Sequence, residues 1–546
     1  MLSGTDSRSC RYGSDMRRSA FIAVLSSGVL ALTACSGASN QATGDDRYAD
    51  GGTFTMGFES DPGALDPATA VQGSTNLLLS FAYDTLTYID RDGGLVGGLA
   101  EKWTVEPSAV HFTLRKNVTC SDGSPVGPAE VANSINRVAD PKTKSPLLGV
   151  LIPTGVKAEA DEAAGTVTMR TPEPNQFLLH STVAIFITCG KGLADPSTLA
   201  KTTSGSGPYE LVESVANDHY TLKKRQGYTW GPGGASSDAK GMPETVVLKV
   251  VSSESTAANL LLAGELNAAH FTGADRTRVT AARGITHDVL PAGPGEFFYN
   301  QDPARPGADP AVRRALTMAL NLDELGKVST QGTGVKMTGM TTLSPRPCRV
   351  DSVTGHVLAH DVEAAKAALD AAGWRAGPDG VRVKDGKKLA VTILYNTDFG
   401  AGEQAGAEYQ ADAWRKIGVA VELKGQASGA WSDALFKTGD WDVAAVGIGV
   451  SLPSQLTGYL SGKAVPDGSN FANIQNTRYT ELVAKASAVP DLEGGCKVWA
   501  EAESALFDNV DVVPFIDKTQ VLAMKNAEIF VPGGLAQPTS IRMLKD

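Results

Sequence analysis

The chain has 546 residues, of which 20% are charged and 42% hydrophobic, and its formal net charge is -11 at pH 7. This mildly acidic balance excludes a protein that holds nucleic acid through a basic face. The length exceeds what one hydrophobic core supports, so two or three domains are expected.

Met16-Arg17-Arg18 is a positively charged start, and residues 20–32 are apolar apart from Ser26, Ser27 and Gly28. With small residues at the end of that run, residues 1–34 read as a secretory signal peptide, for which Met16 is a better start than Met1. The run is too short for a membrane span, and the residues after Cys35 are polar and flexible. Leu32-Thr33-Ala34-Cys35 resembles the bacterial lipoprotein box, which implies that Cys35 is acylated and becomes the new N-terminus. The alternative is an ordinary signal peptide beside an incidental cysteine. On the lipoprotein reading, residues 35–50 are a tether that holds the protein on the outer face of the cell membrane. Removing residues 1–34 takes away four basic and two acidic residues, so the formal charge becomes -13.

Cys10 falls in the removed segment and Cys35 would carry lipid. Cys120, Cys189, Cys348 and Cys496 remain in an oxidising setting, an even number that suits two disulfides with three possible pairings. No pair has CxxC spacing, so neither a zinc site nor a thioredoxin-like site is expected.

Thr53 to Phe58 alternates like a strand, and Asp61 to Pro67 is a turn-rich loop leaving it. A helix is expected near residues 76–83. Asp309 is placed to cap a helix with Pro310 in its first turn, and Val312, Ala315, Leu316, Ala319 and Leu320 recur on one face. Asp361 suits another cap, and Gly373 suits the end of that helix. Residues 389–395, 419–423 and 441–447 read as strands, with helices over 403–417 and 431–437 between them. Strand and helix alternating over short connections predict parallel βαβ units. Residues 110–118, 156–159 and 166–169 have no helices between them and predict a smaller, antiparallel-rich domain.

No serine has the glycine spacing of a nucleophile elbow, and no Gly-Lys pair is followed by the Ser or Thr of a phosphate loop. His356 and His360 have the spacing of two metal ligands on one helical face. His360 immediately precedes the Asp361 cap, however, and no carboxylate motif accompanies the pair, so a solvated turn is the preferred reading. Neither an enzyme, nor a metal site, nor a cofactor is expected.

Several short segments, in order, point to one family. They include Tyr83-Asp84-Thr85-Leu86, Leu99-Ala100-Glu101-Lys102-Trp103, the stretch from Phe112 to Pro125, and Gly205-Ser206-Gly207-Pro208-Tyr209. Gly264-Glu265-Leu266-Asn267, Asn300, the segment from Val312 to Leu316, and Ala364 to Trp374 continue the series. Together they resemble the solute-binding proteins of bacterial ABC importers, the peptide and nickel family (family 5). The resemblance implies an α/β, two-lobed periplasmic-binding-protein-like fold of the type II, three-domain variety. Lobe I would comprise residues 51–88, 206–295 and 512–546. Residues 89–205 would form the small subdomain and residues 296–511 lobe II. Pairing within a domain then favours Cys120 with Cys189 and Cys348 with Cys496.

The resemblance also implies a monomeric receptor that closes its lobes on a solute and hands it to ABC permease subunits. An oligopeptide is the leading ligand; an oligosaccharide, a metal chelate or a modified peptide is the runner-up, and an extracellular hydrolase the alternative from another class. Cleft residues carried over from the family are Val71, Gln72, Trp431, Gly447, Gly449, Val450, Ser451 and Asn470. Trp431 either gives an aromatic wall or packs its own helix. Gln72 either meets ligand or faces solvent, and the two glycines either admit backbone groups to a ligand or permit a turn. Peptide-binding members carry an aspartate after the 441–447 strand that holds the peptide amine. Here no acid occurs between Asp442 and Asp467.

Overall fold

In the computed structural model, residues 47–70 and 72–545 are described. The signal segment, Cys35 and Val71 lie outside the described residues.

The backbone of the molecule is a ten-stranded mixed sheet. One half is built on Thr53–Phe58, which pairs in parallel with Thr245–Val250 and with Ala268–Phe271. The hairpin of Tyr209–Val215 and His219–Lys224 extends this half antiparallel. The alternation in Thr53–Phe58 has its expected consequence: Phe54, Met56 and Phe58 are buried in one cluster with Leu77, Phe81 and Tyr209. In the other half, Ala390–Asn396 lies parallel to both Ala420–Gln426 and Val443–Ala445. The helix Ala401–Arg415 makes the first of these crossovers, as the alternating pattern predicts. Val391, Ile393, Trp414 and Leu316 pack between sheet and helices.

Two long strands belong to both halves. Ile285–Tyr299 and Val512–Lys525 run antiparallel from Ile285↔Lys525 to Phe298↔Val512, with register shifts between Pro291 and Gly293 and between Gly295 and Glu296. The ladder breaks where these strands pass from one half to the other. The run Pro291-Ala-Gly-Pro-Gly295 supplies two prolines without N–H donors and a glycine at φ 146° where the ladder breaks.

A separate four-stranded antiparallel sheet, in the order Ala100–Glu106, Ala109–Leu114, Thr166–Arg170 and Lys157–Asp161, is covered by the helix Pro128–Ala139. Val110, Phe112, Val131, Ile135, Val167 and Met169 fill the space between. Cys120 is bonded to Cys189 beside this core, and Cys348 to Cys496 beside the cluster of Trp441, Trp499 and Phe471.

Two of the sequence motifs meet where the chain leaves for this small sheet and returns. Asp84 is fully buried and accepts from Tyr88, Tyr228, Ser206 and Trp230 at 2.7 to 3.0 Å. Gly207 lies against the Ala82 carbonyl carbon, where a Cβ would come within 2.5 Å of backbone. Only glycine permits that approach.

The capping expectations hold. Asp309 accepts from Ala311 N at 2.9 Å and Asp361 from Ala364 N at 2.8 Å. Some elements differ from expectation. The sequence pattern predicts no helix between residues 118 and 156, yet Pro128–Ala139 lies there: Pro128 opens it, Glu130 accepts from Gly127 N, and Val131, Ile135 and Val138 form one buried face against the small sheet. The strand predicted over 441–447 is confined to Val443–Ala445, because Val446 N turns to the Glu296 carbonyl and Gly447 leaves the sheet. The helix predicted over 431–437 starts earlier, at Ser428, whose N–H is received by Asp398, and it widens into a π turn over Ala434–Thr438.

Candidate functional site

Where the two halves of the large sheet meet, the crossing strands floor a cavity of about 700 Å³. Ala292 to Glu296, Phe515 and Lys518 to Gln520 contribute to its floor. One wall is the start of the Ala401–Arg415 helix with Phe399 and Gly400, and another is Ala445 to Gly447. A second cavity of about 500 Å³ adjoins it, lined by the loop after the first strand, the start of the Gly73–Ala82 helix and His270. Glu59, Glu254, Thr272 and Gln520 line both, so the two form one cleft.

The residues expected at the cleft fall in different places. Gly447 lines the larger cavity, and a Cβ on it would stand 2.4 Å from the Pro294 carbonyl oxygen. The glycine is therefore required by the close approach of the crossing strand. Gln72 is exposed and precedes the helix whose Gly73 and Ser74 line the smaller cavity. Trp431 stands behind the larger cavity. Its ring meets Phe399 edge-on at 5.8 Å, and Phe399, 60% exposed, is the aromatic surface that lines the cavity. Trp431 itself lines neither cavity and packs against the neighbouring core.

Gly449 is exposed beside Leu343. Val450 is buried and its carbonyl receives Thr342 N and Leu343 N, while Ser451 N donates to Gln455. Asn470 is fully buried. Its amide donates to the Gly462 and Ile474 carbonyls and its oxygen accepts from Ile474 N, so its polar atoms hold the 462–474 loop. Gly449, Val450, Ser451 and Asn470 are not among the cavity-lining residues. His356 is half-exposed and its Nδ1 is 3.0 Å from Asp508, and no metal-binding group occurs among the described residues.

Sequence reasoning missed the crossing strands, which contribute the floor. The available signal was the Pro-Gly run 291–295 inside an otherwise strand-like stretch. It also missed the charge of the cleft. Five carboxylates line it: Glu59, Glu254, Glu296, Asp398 and Glu403, against the single lysine Lys518 among the described lining residues. Lys518 is paired with Glu403. Glu254 accepts from Gly273 N and Thr272 N, and Asp398 accepts from Ser428 N and Oγ, which holds its carboxyl low. Burial pushes His270 down, so it stays neutral and adds no positive charge. Glu296 is 1% exposed, and burial pushes its carboxyl well above the usual range.

The model of the bacterial extracellular solute-binding proteins, family 5, matches residues 94–467. The chain belongs to this family. The periplasmic murein peptide-binding protein MppA of Escherichia coli is 25% identical over 494 residues, 85% of this chain and 87% of its own length. A substrate-binding protein from Microbacterium hydrocarbonoxydans, solved in complex with 4-hydroxybenzoate hydrazide, is 26% identical with a TM-score of 0.70. That match covers 90% of this chain and 99% of the other. The substrate-binding protein CtaP of Listeria monocytogenes shares the fold, with a TM-score of 0.77 at 20% identity over 91% of this chain and 100% of the other. Family 5 members are binding proteins and not enzymes. This chain is an ABC-transporter solute-binding protein that works outside the cytoplasm.

Proposed function

We propose that this protein is a lipid-anchored receptor that captures an oligopeptide in the cleft between its two lobes and delivers it to the permease of an ABC importer. The lobes are residues 51–88, 206–295 and 512–546 on one side and 296–511 on the other, with 89–205 as the small subdomain. The observation that carries the reading is the cleft at the crossing strands. It is large enough for a small solute, and its floor consists of the two strands about which the halves would move. The solute must bind the closed form better than the open one for closure to follow. MppA, by its name, binds murein peptides, which supports a peptide ligand here.

A second reading, a non-peptide solute, is favoured by the acid-free segment from Val443 to Pro466 and by the aromatic hydrazide bound to the Microbacterium protein. Native mass spectrometry of the gently purified protein separates the two. A retained ladder of peptide masses is expected, and a single sugar or chelate mass would sink the peptide assignment. Cys35→Ser is expected to release the protein from the membrane fraction and impair uptake while leaving binding in vitro intact. Loss of binding by the folded variant would overturn the division between tether and cleft.

A further inference from the structure

Glu296 stands out among the carboxylates of the cleft. It lies on the first crossing strand, directly after the second register shift, and lines the larger cavity. Its carbonyl receives Val446 N at 3.2 Å, and its Oε1 is 3.5 Å from Ile448 N. Its Oε2 is buried and has no hydrogen-bond partner among the described residues. A buried carboxyl with an open acceptor is costly unless something else uses it. The other four do not share this condition: Glu254, Asp398 and Glu403 are engaged by backbone, Ser428 and Lys518, and Glu59 faces solvent.

We propose that Glu296 is the counter-charge for a cationic group of the solute, an ammonium or a guanidinium, and that the cleft therefore selects cations. This deepens the receptor reading and rests on it. Glu296 reaches the 446–448 backbone from the neighbouring strand, so it brings a carboxyl to the segment whose own sequence has none. The surroundings agree. The one lysine of the cleft is neutralised by Glu403, which leaves the cavity with an excess of negative charge and no free cation among the described lining residues. Burial disfavours the charged form of this carboxyl, and a cation docked beside it favours that form. Glu503 from the helix Leu492–Asp508, and Asp517 and Lys518 from the other crossing strand, act on Glu296, with Arg346 acting in turn on Glu503 and Asp517. The two acids oppose its ionisation and Lys518 favours it. Cation capture and loss of the carboxyl proton thus favour each other, so affinity for a cation rises with pH.

The test is equilibrium dialysis of the purified protein against an equimolar pool, with the captured compounds quantified by mass spectrometry. The pool contains tri-alanine, N-acetyl-tri-alanine amide, N-acetyl-Ala-Lys-Ala amide and putrescine. The wild type is expected to take the cationic members over the neutral one by at least about thirtyfold. Glu296→Gln, which keeps the shape, is expected to bring that ratio close to one. Equal capture of neutral and cationic peptides by the wild type, or capture of nothing, overturns the proposal; so does an unchanged preference in Glu296→Gln. Capture of putrescine without any peptide supports the proposal and overturns the peptide reading, whereas capture of the neutral peptide alone does the reverse. Calorimetry in phosphate and in HEPES, neither of which supplies a primary ammonium, gives a measurement independent of the variant's folding. The wild-type binding enthalpy is expected to change with the buffer because a proton is released, and a buffer-independent enthalpy overturns the proposal.

Discussion

Gly447→Ala tests the physical account of the cleft floor. Gly447 has no left-handed backbone requirement, so the question is one of space alone. The added Cβ would stand 2.4 Å from the Pro294 carbonyl oxygen, about 1 Å inside an ordinary contact. Neither side yields easily. Pro294 is held in the ladder opposite Asp517, between the two register shifts, and Val446 N is bonded to the Glu296 carbonyl at 3.2 Å. Overpacking against backbone of this kind costs about 1–3 kcal/mol. Gly449→Ala is the matched control, because its Cβ would meet the end of the Leu343 side chain at 3.4 Å, an ordinary contact. Urea unfolding followed by tryptophan fluorescence should show the loss in Gly447→Ala and a change within about 0.5 kcal/mol in Gly449→Ala. If both variants unfold with the wild type, the close approach of crossing strand and loop is not what holds the floor.

Other substitutions probe the frame around the site. Arg313 is 2% exposed and donates to the Gly307, Asn509 and Val510 carbonyls beside the buried Asp511, so Arg313→Met should cost about 3–5 kcal/mol in urea unfolding. Burial pushes the Asp517 carboxyl up to about 7, from 3.8. Between those values the folded chain keeps a proton that the unfolded chain has lost, so this contribution is present in acid and fades as pH rises through 7. It amounts to at most about 4 kcal/mol. Asp517→Asn should therefore be more stable than the wild type at pH 8 and lose less stability between pH 5 and pH 8; parallel slopes in urea titrations would contradict this. Replacing Cys348 and Cys496 by serine opens a loop of 148 residues, for which chain entropy gives about 5 kcal/mol, visible as a lowered urea midpoint.

Much of the frame was legible because it is local. The caps at Asp309 and Asp361, the alternation of Phe54, Met56 and Phe58, and the βαβ pattern around Ala401–Arg415 each need only neighbouring residues and the period of their element. The cleft was less legible. Trp431 and Gly447 stand at or behind its wall, but Asn470 is absorbed by its own loop, because a polar side chain's partner depends on which carbonyls the fold brings near. Ser428 begins a helix early because Asp398, thirty residues away, receives its N–H.

The sequence by itself determined the family, the absence of any recognisable catalytic motif and those caps, strands and helices whose pattern is local. The charge of the cleft was decided by tertiary structure alone. Glu296 and Ile448 lie 152 residues apart and meet only because one crossing strand passes beside the end of Val443–Ala445. Glu403 and Lys518 likewise neutralise each other from distant segments. Charge in a cleft is a sum over residues that distance in sequence does not order, so a segment that looks acid-free can have a carboxyl supplied to it by a neighbouring strand.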